Sequence, residues 1–99
     1  MSKDYLNLLG LAYRARKCTL GEELIIRDIQ SKKAKLILLA NDTGPQTTKK
    51  ITDKCNFYKV PLLVVDDRET ISRAIGKSGR VAIAILDQGF ATKITSLLD

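Results

Sequence analysis

The chain has 99 residues, enough for one small hydrophobic core and too few for two. Its 17 lysines and arginines outnumber 11 aspartates and glutamates, and the net charge of +6 favours a polyanionic partner such as nucleic acid. The sequence contains no histidine and only two cysteines, which argues against a zinc site and removes the commonest general base.

Apolar residues recur at helical spacing near the N-terminus and predict a first helix over 3–16, followed by a short candidate strand over 17–20. Thr19 and Glu22 have the spacing of a capping box, in which each side chain bonds the backbone of the other residue. This spacing predicts a second helix over 21–31.

The segment AKLILLA, residues 34–40, is apolar on both faces, as expected of a strand covered by helices on both sides. A turn follows, and Pro45 suits the first turn of a third helix that ends near residue 56. The segment PLLVV, residues 61–65, predicts a second buried strand.

Asp66 and Glu69 again have capping spacing, and they predict a fourth helix that ends near residue 75. The loop GKSGR leads into a third buried strand over 81–86, and Asp87 is expected to cap the last helix. Helices that alternate with buried strands favour a three-layer α/β/α sandwich. We expect a four-stranded sheet, mostly parallel or mixed, whose short first strand is suited to antiparallel pairing at an edge.

Cys18 and Cys55 form no CxxC motif, and we interpret both as small buried residues of a protein in a reducing compartment. No apolar segment approaches the ~20 residues of a membrane span. The N-terminal segment MSKDYLNLLGLAYRARK lacks the cleavage site of a signal peptide. We therefore predict one cytoplasmic domain over 1–99, with no metal and no cofactor.

The sequence lacks the residue patterns that common classes of enzyme need. Neither cysteine has an activating partner in the sequence, and no serine lies in a GxSxG turn. The segment GKS at 76–78 lacks the glycine of a phosphate-binding loop five positions earlier, where Ile71 stands. We predict that the protein is not an enzyme.

Acidic residues follow two of the predicted strands. Asp42 and the pair Asp66 and Asp67 are placed at carboxyl ends of strands, where a phospho-accepting domain would hold Mg²⁺. The alternative is that each acid caps a helix or a turn, which their positions match better.

Four segments together carry a resemblance over nearly the whole chain: GEELIIRDIQSKKAKLILLAND, TTKKITDKC followed by VPLLVV, AIGK, and RVAIAILD. They resemble the superfamily of kink-turn-binding ribosomal proteins, the archaeal and eukaryotic large-subunit proteins of the L-seven-Ae and L-thirty-e type and their small bacterial relatives. The resemblance implies an α/β/α sandwich. It also implies binding of a sharply bent RNA with tandem sheared G·A pairs, in association with the ribosome or another RNA–protein particle.

In the family pattern a glycine opens the second helix and a basic residue follows two turns later, and Gly21 and Arg27 match these positions. The intervening residues differ, because Glu23 and Leu24 replace Asn or Lys and then Glu or another polar residue. The second family element is the loop before the last strand, which covers an extruded nucleotide. It corresponds here to residues 76–80.

Electrostatics and hydrogen bonding favour such an RNA-binding surface. The N-terminus of a helix presents unsatisfied N–H groups and a partial positive charge. Carboxylates there suit the imino and amino donors of guanine, and cations supply affinity by neutralising phosphates. The predicted RNA-binding residues are Lys17, Gly21, Glu22, Glu23, Arg27, Lys32, Lys33, Lys77, Ser78, Gly79 and Arg80.

Simpler roles exist for part of this set. Lys32 and Lys33 also suit a solvated turn between helix and strand. Glu22 and Glu23 also suit compensation of the helix dipole, worth only ~0.3–1 kcal/mol. The few aromatic residues form no base-stacking platform on a strand, which disfavours single-strand binding through stacking.

The leading hypothesis is a monomeric, non-catalytic protein that binds a structured, kink-turn-like RNA. Two rivals remain open. One is a protein-interaction module of the same fold without specific RNA binding, which the substitutions at Glu23 and Leu24 favour. The other is the small Mg²⁺-dependent phospho-acceptor domain that would use Asp42 or Asp66.

Overall fold

Nine elements alternate along residues 4–98, the part of the chain that this computed structural model describes. In chain order they are α1 (Asp4–Arg14), β1 (Cys18–Leu20), α2 (Glu22–Gln30), β2 (Leu36–Leu39), α3 (Pro45–Tyr58), β3 (Leu62–Val64), α4 (Arg68–Ala74), β4 (Ala82–Ile85) and α5 (Gln88–Leu98). Each predicted helix and strand is present with ends shifted by a few residues. Residue 3, where the first helix was predicted to begin, lies outside the described residues.

The four strands form one mixed sheet in the order β1-β4-β2-β3. β2 and β3 are parallel, whereas β4 is antiparallel to both β1 and β2. The expected three-layer sandwich is confirmed, and of the two expected kinds of sheet, mostly parallel or mixed, the structure has the mixed one. The short first strand, whose pairing the sequence left undecided, is an antiparallel edge strand. The seven-residue helix α4 and the loop after it bring the chain back to the edge where β2 ends, so β4 runs in the opposite direction.

Alternating residues of the central strands face two hydrophobic cores, one on each side of the sheet, so the expectation that the chain is too short for two cores is wrong. Leu36, Leu38, Ile83 and Ile85 pack against α1, α4 and α5, where Leu9 is fully buried. Ile37, Leu39, Ala82 and Ala84 pack against α2 and α3 on the opposite face. Both faces of β2 and β4 are therefore covered, which explains why these strands are apolar throughout.

The capping pattern differs from the prediction at two of three helices. Thr19 does not cap α2, because its Oγ1 donates a 2.6 Å hydrogen bond to Oδ2 of the buried Asp28. Asp67 rather than Asp66 caps α4, accepting a 2.8 Å bond from the N–H of Thr70. Asp87 caps α5 as predicted, accepting a 2.9 Å bond from the N–H of Phe90.

The two cysteines are free thiols in different cores. Cys55 is buried as expected, and Cys18 is half-buried on the edge strand β1. Burial raises the pKa of Cys18 to about 12 and that of Cys55 to about 11, so neither thiol is primed as a nucleophile. No helix within residues 4–98 is long and apolar enough to span a membrane.

Candidate nucleic-acid interface

Strand register brings the start of α2 and the loop 76–80 to one edge of the sheet. Leu20, the last residue of β1, is paired with Ile83, and Leu39, the last residue of β2, is paired with Ala82. Gly21, which directly follows β1, therefore lies beside the start of β4, the strand that residues 76–80 lead into. We call this border, formed by Gly21, the first turn of α2 and residues 76–80, the Gly21 edge.

The N-terminus of α2 is open to solvent. Gly21 precedes it with a φ of 93°, a conformation that L-residues rarely adopt, and it is exposed. A Cβ atom there would meet no heavy atom of the described residues within 4 Å, and no side chain among them caps the helix. The first amides of α2 are therefore left for solvent or a ligand.

The two glutamates of this turn have different surroundings. Glu22 is held by α3, since Thr47 Oγ1 donates to its Oε1 at 2.9 Å and Lys50 Nζ lies 3.1 Å from its Oε2. The hydrogen bond from Thr47, followed by that from Lys50, lowers the pKa of the Glu22 carboxyl. Glu23 is exposed and so is Leu24, which makes Glu23 the carboxylate better placed for an external partner.

Arg27 lies on the same face of α2 as Glu23, because residues four apart are neighbours on a helix. Its side chain is 71% exposed, and its Nε is 4.0 Å from Oδ1 of the buried Asp28. The guanidinium is thus directed to solvent while its inner edge is oriented by a carboxylate. This arrangement leaves most of its donors available for an anion.

The loop 76–80 has a defined backbone. Gly76 ends α4 with a φ of 71°, its N–H bonds the carbonyl of Arg73 at 3.1 Å, and the N–H of Lys77 bonds the carbonyl of Ser72 at 2.9 Å. This pair of bonds is the Schellman arrangement. Ser72 Oγ, buried, also accepts from the N–H of Arg80 at 2.8 Å and donates to its carbonyl at 3.2 Å.

Ser72 is the residue of this site that the sequence did not indicate. A serine in a short helix carries no signal of its own, and its role depends on the return of Arg80 from eight positions later. Within the loop, Lys77, Ser78 and Gly79 are exposed. Lys77 Nζ lies 5.9 Å from the centre of the Tyr13 ring, a distance at which a cation and an aromatic face attract.

Three of the predicted lysines lie at the opposite border of the sheet. Lys17 precedes β1, and its carbonyl accepts from the N–H of Leu86 at 2.8 Å, beyond the carboxyl end of β4. Lys32 and Lys33 follow α2 and precede β2, whose first residue is paired with Ile85. We call this border, defined by Lys17, Lys32 and Lys33, the Lys33 edge. Lys32 Nζ donates to the carbonyl of Tyr58 there.

The acids proposed for Mg²⁺ make contacts within the protein. Asp42 accepts from Arg68, at 2.9 Å from its backbone N–H and 3.2 Å from its Nε. Asp66 accepts from the hydroxyl of Tyr5, whose pKa is raised mainly by burial. Within residues 4–98, no group of three or more acids and cysteines is arranged to hold a metal ion. These contacts match the helix and turn roles better than a phospho-acceptor site.

The mixed sheet and the helix layers agree with one family. The chain belongs to the ribosomal protein L7Ae/L30e/S12e/Gadd45 family, whose model matches residues 3–95. The resemblance inferred from the sequence is therefore confirmed.

Individual relatives are close in sequence or in structure. The RNA-binding protein YlxQ of Bacillus subtilis (strain 168) is 53% identical over 96 residues, covering 97% of this chain and 96% of that protein. A solved structure of a protein with unknown function from Bacillus halodurans C superposes with a TM-score of 0.95 at 43% identity, covering 99% of both chains. The 15.5kD RNA binding protein of Giardia lamblia, 17% identical, shares the fold, with a TM-score of 0.81 over 99% of this chain and 91% of that one. The family is named for ribosomal proteins, and YlxQ is named an RNA-binding protein. These are not the names of enzymes, as the sequence predicts for this chain.

Proposed function

We propose that this protein is a cytoplasmic, monomeric RNA-binding protein that recognises a kink-turn-like structured RNA with its Gly21 edge, as one domain over residues 1–99. The observation that carries the proposal is the strand register, which places the open N-terminus of α2 beside the loop 76–80. The RNA-binding relative YlxQ, at 53% identity, supports the same partner class. We expect the RNA to belong to the ribosome or another RNA–protein particle.

In this proposal the first turn of α2 reads the bent RNA. The uncapped amides and the exposed Glu23 face the base edges of sheared G·A pairs, where guanine presents N–H donors to the carboxylate. The open space at Gly21 allows a base or the sugar–phosphate backbone to approach. Glu22 orients the turn by its bonds to α3 instead of contacting RNA.

Cations around this turn supply the affinity. Arg27, on the exposed face of α2, and Lys77 and Arg80, in the loop, neutralise phosphates on either side of the bend. Ser78 and Gly79 form the exposed tip of the loop and allow close approach of the extruded nucleotide. Lys17, Lys32 and Lys33, at the Lys33 edge, contribute only longer-range attraction, which salt screens over about 8 Å at physiological ionic strength.

The experiment is a titration with two matched RNA duplexes. One carries a kink-turn with tandem G·A pairs, and the other carries Watson–Crick pairs at the same positions. We expect the kink-turn to bind at least ~100-fold more tightly, because an ordinary A-form groove does not admit side chains to the base edges. Equal affinity for the two RNAs would remove the claim of structure-specific recognition.

A second candidate is a protein-interaction module of the same fold. It is favoured by Leu24, which is 46% exposed at a position where the resembled RNA-binding relatives carry a polar residue. Purified protein that carries no nucleic acid at low salt, judged by ultraviolet absorbance before and after a high-salt wash, would support this candidate. Co-purifying RNA that high salt removes would support the RNA-binding proposal.

A further inference from the structure

The C-terminal half of α3 presents an aromatic ring to solvent. Phe57 is 76% exposed, the largest exposure among the large apolar side chains of residues 4–98. Tyr58 contacts it edge to face, with ring centres 4.8 Å apart and planes at 74°. One face of the Phe57 ring is consequently available to a flat partner, while its orientation is restrained from the side.

Two lysines connect this ring to the Gly21 edge. Lys50, Lys54 and Phe57 are spaced i, i+4 and i+7, so they form a line along one side of α3. At the near end, Lys50 bonds Glu22 in the first turn of α2. Lys54 makes no ion pair within residues 4–98, and Asp53, which lies on the same side, is paired with Lys49 at 2.9 Å. The line therefore offers cationic charge and then an aromatic face.

We propose that this side of α3 binds a single-stranded RNA segment that adjoins the folded RNA, with phosphates near Lys50 and Lys54 and one base stacked on Phe57. The inference rests on the proposed function and extends it from a folded motif to the strand that leaves it. Backbone-tracking cations together with an aromatic side chain are the combination that single-strand binding surfaces use. The segment would leave the Gly21 edge where Lys50 contacts Glu22.

An RNA strand fits this surface better than a protein does. A stable protein interface covers about 800 Å² on each partner. The exposed residues of α3 are polar or charged, with two exceptions: Phe57 and Pro45, the first residue of the helix. A single ring among charges provides little apolar area, but it is sufficient to stack one base.

The test compares a kink-turn RNA without a tail with the same RNA carrying a single-stranded tail of about six nucleotides, placed at the 5′ or the 3′ end in turn. We expect the tail at one end to raise affinity about 5-fold, the lower end for one base stacked on an aromatic side chain. Phe57→Ala should abolish this gain and leave the affinity for the tail-less RNA unchanged. Phe57→Trp should retain the gain.

The matched control is Val64→Ala, which removes an apolar side chain that is 61% exposed on β3. It should preserve the gain from the tail. A tail that gives no gain at either end, or a gain that survives Phe57→Ala, would overturn the inference while leaving the proposed function intact, and would return the ring to consideration as a protein contact.

Failure of the proposed function itself has a different signature, namely that the tail-less kink-turn does not bind or binds no more tightly than the matched Watson–Crick duplex. In that case the isolated tail oligonucleotide is titrated instead. Saturable binding that Phe57→Ala weakens would support the single-strand site on its own, and no binding would overturn it.

Discussion

The two borders of the sheet both carry positive charge, but they use it differently. At the Lys33 edge, Lys32 donates to the last carbonyl of α3, and Lys35 donates to the carbonyl of Lys32, just after α2. Two cations there are therefore bonded to carbonyls at the ends of helices. At the Gly21 edge, the first turn of α2 is uncapped, and Lys77 and Arg27 are exposed. The density of lysine along a sequence therefore does not locate a binding surface. Backbone donors and the local fold decide which cations remain available.

The largest difference between the borders is expected from charge reversal. Lys77→Glu should weaken binding of the kink-turn RNA by ~10- to 100-fold, the loss expected for one charge-assisted contact. Lys33→Glu should weaken it by less than about 3-fold at ~0.15 M salt, because screening limits a distant charge. Fluorescence anisotropy with labelled RNA measures both. Equal losses would mean that the RNA contacts both borders.

The second difference concerns backbone conformation. Gly21→Ala forces an L-residue into a φ of 93° and should cost about 1–3 kcal/mol in the free energy of urea-induced unfolding. Gly44 is a matched control with a φ of −61° and open space around it, so Gly44→Ala should change stability little. A Gly21→Ala protein as stable as the wild type would show that this turn relaxes without strain.

A third difference is in salt dependence. Arg27→Ala should lower RNA affinity about 10-fold and reduce the slope of log affinity against log salt by about one, the expectation for one lost phosphate contact. Lys93→Ala, which removes an exposed cation from α5, should leave the slope unchanged. An unaltered slope for Arg27→Ala would show that Arg27 contacts no phosphate.

Within the Gly21 edge, the two glutamates should separate. Glu23→Gln should weaken RNA binding about 5-fold, equivalent to one ordinary hydrogen bond. Glu22→Gln should weaken it less than about 2-fold, because the oxygens of Glu22 are engaged by Thr47 and Lys50. The reverse order, measured in parallel titrations, would mean that Glu22 leaves α3 to contact a base.

The smallest effect is the pH dependence of the link between α2 and α3. Since the pKa of Glu22 is lowered in the folded protein, its contribution to stability is present above the unfolded value of about 4.3 and is lost as pH falls through the folded value. At neutral pH the free energy of unfolding of the wild type should exceed that of Glu22→Gln by less than ~1 kcal/mol, and the two free energies should converge in acid. A constant gap down to about pH 2 would assign the difference to another cause.

Strong apolar runs made the architecture predictable. The segments that became β2 and β4 have no polar residue, and the only common reason for such a run in a short element is cover on both faces. The direction of each strand was harder to predict, because a buried apolar run has the same sequence pattern in a parallel and in an antiparallel strand. Thr19 was wrongly predicted to cap α2. Its hydroxyl donates to the buried Asp28, and this hydrogen bond depends on the packing of β1 against α2, which the sequence does not indicate.

The candidate site was predictable only in part. Gly21, Arg27 and residues 76–80 were predicted from resemblance to a family pattern, whereas separating them from Lys32 and Lys33 requires the register of β4 against β1 and β2. Ser72 and Phe57 were missed for opposite reasons. A small polar residue in a helix, such as Ser72, is usually exposed and without a specific role, whereas an aromatic residue such as Phe57 is usually buried in the core.

The position of β4 has a consequence for how costly recognition is. This strand is hydrogen-bonded on both sides, and residues 76–80 run directly into it while Ser72 holds Arg80 from behind. A loop anchored in this way loses little conformational freedom when a ligand arrives, so less of the contact free energy is offset by ordering. Hydrogen exchange at the amide of Arg80 should accordingly be slow before any RNA is added.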